Sequence, residues 1–289
     1  MYTVDNAVIM AAGTASRFAP LSYEKPKALI TVKGEVLIER QIRQLREAGI
    51  KDVYIVAGYK AEMFYYLEEK LGVKIIVNPD FLTRNNNASI YAVKDILKNT
   101  YICSADNYFS ENPFESSVDD CYYSAVYADG ETKEWCLEYD GDGTITSVKI
   151  GGSDAWFMLG HTFWSEEFSE RFVKILEKEY DLPETADKLW ESIYMEHMDE
   201  LKMKIRKYSS DVIFEFDTLD ELREFDTSYV DDTRSEILGQ VAAELGCSQG
   251  DIREVLSYKD STNEAAGFTF CYSGEKYRYP YGEKKLRRI

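Results

Sequence analysis

The chain has 289 residues, 45% of them apolar, enough to bury one sizeable core and a small second one. Its 52 acidic residues against 34 basic ones give a formal charge of −18, which excludes an extended nucleic-acid groove or an anionic membrane surface as the expected partner. Five cysteines, Cys103, Cys121, Cys136, Cys247 and Cys271, show no metal-ligand spacing and an odd count, which fits a reducing compartment; with no membrane-length apolar run and no leader pattern, the expected location is the cytoplasm.

In chain order, "AVIMAA" (7–12) reads as a buried strand, and "VLIERQIRQLREAG" (36–49) puts Ile38, Ile42 and Leu45 on one helical face before stopping at Gly49. "DVYIVAG" is a strand again, followed by a helix around "AEMFYYLEEKLG", a strand "VKIIVN", a helix after Asn87 and a strand "TYICSAD". Strands alternating with helices predict parallel βαβ units and a doubly wound, mostly parallel α/β sheet with its ligands at the carboxyl ends of the strands. From about residue 121 the rhythm changes. "CYYSAVYAD", "WCLEYDGDGTITSVKIG" and "AWFMLGHTFW" read as antiparallel strands, then come helices over 165–179 and 185–197, strands "KMKIRKY" and "VIFEFDT", and a helix "LDELREF". This antiparallel region is expected to fold over the sheet edge as a lid for a second substrate. Beyond residue 231 a helix, a short helix opening at Ser248 and a hairpin through Ser273-Gly274 predict a small α+β extension. Two domains are therefore expected, 1–230 and 231–289.

The stretch after the first strand is the chemically loaded one. Ala12-Gly13-Thr14-Ala15-Ser16 exposes consecutive backbone N–H groups, and Arg17 adds a planar fork suited to phosphate oxygens. The loop matches neither G-x-G-x-x-G nor the Gly-Lys-Ser/Thr pattern of P-loops. Pro26 is expected to hold Lys27 in an extended segment. Asp106 ends the strand "TYICSAD". Glu215 and Asp217 in "FEFDT" alternate along a strand, which puts both carboxylates on one face.

"MAAGTASRFAPLSYEKPKAL" (10–29) resembles the signature of nucleotidyltransferases that join a nucleoside triphosphate to a phosphorylated small molecule, L-A-A-G-x-G-[ST]-R-x-x-P-x-[ST]-x-x-x-P-K-x-[LM]. Ala15 stands where that signature has its second glycine, so the backbone there must accept a Cβ or take another path. Within the superfamily, "NNNASIYAVKDIL", "SADNYFSENPF", "TKEWCLEYDGD", "DKLWESIYMEH" and "IFEFDTLDELREF" resemble, in order, segments of bacterial CTP:phosphocholine cytidylyltransferases across roughly residues 6–227. The resemblance implies a Rossmann-like nucleotidyltransferase fold and Mg²⁺-dependent transfer of CMP from CTP to phosphocholine. It assigns Asp106, Glu215 and Asp217 to the metal and sets Lys27 against the α-phosphate or the incoming phosphate, with Arg17 and Asp106 beside it as catalytic groups. It puts the loop 12–17, Gly58, Tyr59, Asn86, Ser89 and Asp106 near the nucleotide. Trp135, Trp190 and Tyr194 fall in segments that resemble choline-binding parts, where aromatic faces suit a quaternary ammonium with no N–H to donate.

A phosphate oxygen is already deprotonated at neutral pH, so this reaction needs cations more than a base, and His161 and His197 are expected to be incidental. Phosphoethanolamine or 2-aminoethylphosphonate are alternative acceptors, and a sugar-1-phosphate is a more distant one. "STNEAAGFTFCYSGEKYRYPYGE" (261–283) loosely resembles the start of a choline kinase N-lobe, with no catalytic-loop or metal-binding Asp motif after it.

Overall fold

The computed structural model describes residues 1–260 and 265–289. They form two compact units that do not follow chain order: Met1–Gly13 with Leu37–Glu215, and Thr14–Val36 with Phe216–Ile289. The expected boundary at 230/231 is therefore not where the compact units part. Residues 14–36 and 216–230 group with the C-terminal stretch.

The first unit is built on β1 (Asn6–Ala11), α1 (Leu37–Glu47), β2 (Asp52–Ala57), α2 (Tyr66–Leu71), β3 (Lys74–Val77), α3 (Asn87–Ala92), β4 (Thr100–Ser104), β5 (Asn107–Phe109), β6 (Tyr122–Tyr139), β7 (Ile145–Trp164), α4 (Glu166–Glu179), α5 (Trp190–Glu196), β8 (Lys204–Tyr208) and β9 (Ile213–Glu215). Seven strands make one sheet in the order β8-β6-β7-β4-β1-β2-β3. β1 runs parallel to both β2 and β4, and β3 parallel to β2, as the βαβ alternation predicts. Apolar residues on both faces of β1 explain its central place: Ala7, Val8 and Ile9 are fully buried. Val8, Val56 and Ile102 share a core with Ala88 and Ile90 of α3, Phe168, Phe172 and Leu176 of α4, and Trp190 and Ile193 of α5. On α1 the predicted stripe Ile38, Ile42 and Leu45 is buried, each residue contributing roughly 1.5–3 kcal/mol. Gln41 and Gln44 on the same helix donate to the carbonyls of Ser104, Asn107 and Phe109, tying α1 to β4 and β5.

The antiparallel region differs from the sequence expectation in four ways. Its strands are not several short ones but a single long hairpin, β6 and β7, interrupted by bulges at Ala128/Glu131 and Thr132/Trp135. Bulges let the strand bend without ending it, so turn-like residues such as Gly130 lie inside β6. The hairpin is also part of the central sheet, because β7 pairs antiparallel with β4. "KMKIRKY" forms β8, which runs parallel to β6. The helix expected over 185–197 is α5 over Trp190–Glu196, preceded by a 3-10 turn at Pro183–Thr185.

The second unit carries the one-turn helix Leu21–Glu24, α6 (Leu219–Phe225), α7 (Glu236–Leu245) and a four-stranded antiparallel sheet, β10 (Arg253–Lys259), β11 (Ala265–Tyr272), β12 (Glu275–Pro280) and β13 (Arg287–Arg288). Ser248 caps a 3-10 turn, and Ser273 and Gly274, at φ 50° and 79°, make the predicted hairpin turn. Residues 261–264, which open the kinase-like stretch, lie outside the described residues. Among the described residues no helix is long and apolar enough to cross a membrane.

Candidate active site

In the first unit, backbone hydrogen bonds stitch together the carboxyl ends of the parallel strands. The Ala105 N–H donates to Met10 O (3.1 Å), the Tyr59 N–H to Ala12 O (3.0 Å) and the Asn78 N–H to Ala57 O (2.8 Å). Gly58 is required for this closeness: a Cβ there would lie 2.9 Å from Ala12 O and 2.7 Å from the Phe81 side chain. Gly13, by contrast, opens onto space, with nothing within 4 Å of the Cβ position.

Asp106 occupies the turn between β4 and β5, immediately before the residue that pairs with Glu215 across the β5–β9 ladder. Asn107 donates from Nδ2 to Glu215 Oε2 at 3.3 Å, while its own Oδ1 is buried without a partner. Two carboxylates and an unsatisfied amide oxygen are hard oxygen donors of the kind a divalent cation takes. The expectation that Glu215 and Asp217 alternate along one strand is not met: β9 ends at Glu215, Phe216 leaves the ladder, and Asp217 lies in the bend before α6. The two carboxylates fall in different units.

In the second unit the signature loop keeps a backbone path that glycine would take more easily, and Ala15 accepts it with its Cβ in place. Ala15 adopts φ 45°, ψ 44°, in the left-handed region, and caps the 3-10 turn Ser16–Phe18, whose Phe18 N–H donates to Ala15 O. Arg17, with its side chain 73% exposed, forms a 2.7 Å ion pair with Asp217 Oδ2. Lys27 is buried, with its ammonium 3.9 Å from Asp217 Oδ1 and 5.6 Å from the centre of the Phe18 ring. Asp217 thus gives one oxygen to each cation. Its own N–H donates to Glu221, which completes a capping box with Thr218 at the start of α6. The extended residue before the proline is Lys25, at φ −147°, whereas Lys27 opens the 3-10 turn Lys27–Leu29. Pro26 therefore restricts its predecessor, as steric contact with its ring demands, and not its successor.

The remaining expected residues lie in the first unit. Ser89 is buried and its hydroxyl accepts from Asn78 Nδ2. Both ends of the Asn86 amide are committed to α5, Oδ1 accepting from the Trp190 N–H at 2.7 Å and Nδ2 donating to Glu191 at 3.1 Å. Trp190 and Tyr194 sit in the core, at 1% and 0% exposure. One indole face of Trp190 stacks on Tyr123 and its edge meets Trp164. Trp135 is half-buried at the bulged part of β6, and among the described residues its ring neither stacks on nor edges against Trp190 or Tyr194.

Glu191 is the group that sequence reasoning missed. Its carboxylate accepts from Asn86 and from the Tyr123 hydroxyl (3.3 Å), and burial pushes its pKa up from 4.5 to about 7. The signal available in sequence was its place beside Trp190 in "DKLWESIYMEH". His161 is also buried, its pKa lowered to about 3 by burial and by nearby Arg206, with Tyr122 on its Nε2, so it serves the aromatic core as a neutral ring.

A nucleotidyltransferase is the class this fold and these strand ends define, and residues 7–111 match the MobA-like NTP transferase domain family. The chain is 34% identical over 220 residues to the choline-phosphate cytidylyltransferase of Streptococcus pneumoniae, covering 76% of this chain and 96% of that protein. It is 36% identical over 234 residues to the 2-aminoethylphosphonate cytidylyltransferase of Lancefieldella rimae, covering 78% and 93%. The solved structure of the Streptococcus pneumoniae CTP:phosphocholine cytidylyltransferase LicC superimposes with a TM-score of 0.75 at 33% identity, over 78% of this chain and 99% of that one. The chain belongs to the bacterial CTP:phosphocholine cytidylyltransferase family.

Proposed function

We propose that the protein transfers CMP from CTP to phosphocholine in the cytoplasm, with Mg²⁺ as its metal, giving CDP-choline and pyrophosphate. The observation that carries this reading is the 34% identity to a choline-phosphate cytidylyltransferase across 96% of that enzyme's length. In the reaction a phosphocholine oxygen forms a bond to the α-phosphorus of CTP as the bond to the pyrophosphate oxygen breaks, and no proton need be removed from the nucleophile. Arg17 and Lys27 neutralise phosphate charge as it shifts toward pyrophosphate, and Asp217 keeps both cations oriented. The loop N–H groups of 12–16 bind phosphate oxygens. Asp106 and Glu215 would hold Mg²⁺, which when bound screens the triphosphate and polarises the α-phosphate; the hard oxygen donors around Asn107 fit it. Trp135 offers a π-face to the trimethylammonium, and Glu191 a counter-charge. We further propose 1–230 as the transferase module and 231–289 as an extension of it.

A second reading, with 2-aminoethylphosphonate or phosphoethanolamine as acceptor, is favoured by the 36% identical relative and by Glu191, because a primary ammonium can donate hydrogen bonds to a carboxylate. Pyrophosphate release from four NTPs crossed with phosphocholine, phosphoethanolamine, 2-aminoethylphosphonate and glucose-1-phosphate decides between them. The proposal expects the highest kcat/KM for CTP with phosphocholine. A preference for either amine acceptor selects the second reading, and a preference for the sugar phosphate refutes both.

A further inference from the structure

Within the second unit, the short segment that carries Lys27 is gripped on both sides by residues from the C-terminal stretch. On the near side, the Glu24 carboxylate accepts from the Ser235 hydroxyl (2.8 Å), the Ile237 N–H (2.8 Å) and the Glu236 N–H (3.2 Å), so that it satisfies the amino end of α7 together with Ser235. On the far side, Thr31 O accepts from the Tyr229 hydroxyl (2.7 Å) and from Arg234 Nη1 (2.9 Å), and the Lys33 N–H donates to Asp226 Oδ2 (2.7 Å). Lys25-Pro26-Lys27 lies between these two anchor points.

Two features argue that these hydrogen bonds hold the segment in place. First, a cavity of about 570 Å³, lined by Tyr23, Glu24, Lys25, Thr31, Arg234 and Tyr281 among others, borders the segment on either side of the buried Lys27. Lys27 and the residues after it up to Ile30 are buried, so packing holds that end, whereas around Tyr23–Lys25 the chain is held by its polar contacts and by the stack of Tyr23 on Tyr281 (3.7 Å). Second, Arg234 sits at φ 60°, a left-handed conformation that disfavours a side chain and persists where surrounding contacts over-determine it. Those contacts are present: Arg234 Nη2 donates to the Ser228 hydroxyl, and its guanidinium lies 4.2 Å from the centre of the Tyr229 ring.

We infer that Glu24, Tyr229 and Arg234 are positioning residues that brace the Lys25–Lys27 segment, which makes the stretch from Tyr229 to Ile237 a working part of the transferase. The inference rests on the proposed role of Lys27 at the reacting phosphates. A phosphate-binding ammonium displaced by about an ångström loses much of its effect, because the benefit depends on pre-set geometry.

The test is a mutant cycle on the full chain, read as kcat/KM for CTP with phosphocholine. Lys27→Ala is expected to lose at least a hundredfold. Glu24→Gln, which keeps side-chain volume but removes the charge facing three donors, and the milder Tyr229→Phe are each expected to lose about tenfold, with thermal unfolding still above the assay temperature. Added to Lys27→Ala, either brace variant should cost less than a further twofold, since a residue acting through Lys27 has nothing left to position. A merely structural role would give multiplied losses. Multiplied losses, or wild-type turnover in both brace variants beside a crippled Lys27→Ala, overturn the brace. Wild-type turnover in Lys27→Ala itself overturns the role of Lys27, and the brace with it.

Discussion

Glu191→Gln removes one ionisable group at nearly constant volume, which makes it a direct probe of the carboxyl at the start of α5. In the unfolded chain that carboxyl titrates near 4.5 and in the fold near 7, because burial disfavours its charged form more than Asn86 and Tyr123 stabilise it. The rise corresponds to a contribution of up to about 3 kcal/mol. The contribution is fully present below pH 4.5, where both states carry the proton, and is lost as pH rises through 7, where folding must keep a buried charge. Because the net charge approaches zero near the sequence pI of about 4.7, where proteins in general are least soluble, the useful window is pH 5.5–8, over which about 2 kcal/mol of the effect falls. Urea unfolding of wild type and Glu191→Gln across that window should show wild-type stability falling relative to the variant. A constant gap between the two curves would refute the argument. In turnover, KM for phosphocholine should fall as pH rises through 7 in wild type, as the counter-charge forms, and stay flat in the variant.

Ala15→Gly relieves a left-handed alanine and should raise stability by about 0.5–1 kcal/mol after the added freedom of the unfolded chain is counted, whereas Ala15→Val should lower it; equal unfolding midpoints for all three proteins would contradict the φ of 45°. Asp106→Asn should cut kcat/KM at least a hundredfold at saturating Mg²⁺ with an unchanged unfolding midpoint, and near-normal turnover would remove Asp106 from the metal assignment.

The parallel half of the sheet was legible because its strands are apolar on both faces and its helices keep a clean 3.6-residue stripe, as in β1 and α1. The hairpin was less legible. Gly130 and the charged run 131–134 look like a loop in sequence, yet bulges keep β6 continuous through them, and nothing local announces that β8 pairs parallel to β6. Of the candidate site, the loop and its cations could be read from residue type alone. The end of β9 at Glu215 could not, since "FEFDT" alternates well as a strand and is cut short by the capping box that Thr218 and Glu221 form with the next helix. Glu191 was hidden because a lone glutamate on a helix looks like a solvated one, and only the packing of Tyr123 and Asn86 around it makes it unusual.

The discontinuous second unit has a consequence for the order of biosynthesis. Residues 14–36 leave the ribosome about 180 residues before the 216–289 segment that completes their unit, a delay of roughly 10–40 s at ordinary translation speeds. Only at the end of that interval has the first unit received every strand of its sheet, and throughout it Arg17 and Lys27 have neither Asp217 nor the C-terminal helices to lean on. The nascent polypeptide therefore acquires its cationic loop last, and its maturation is gated by the slow closure of a long-range contact.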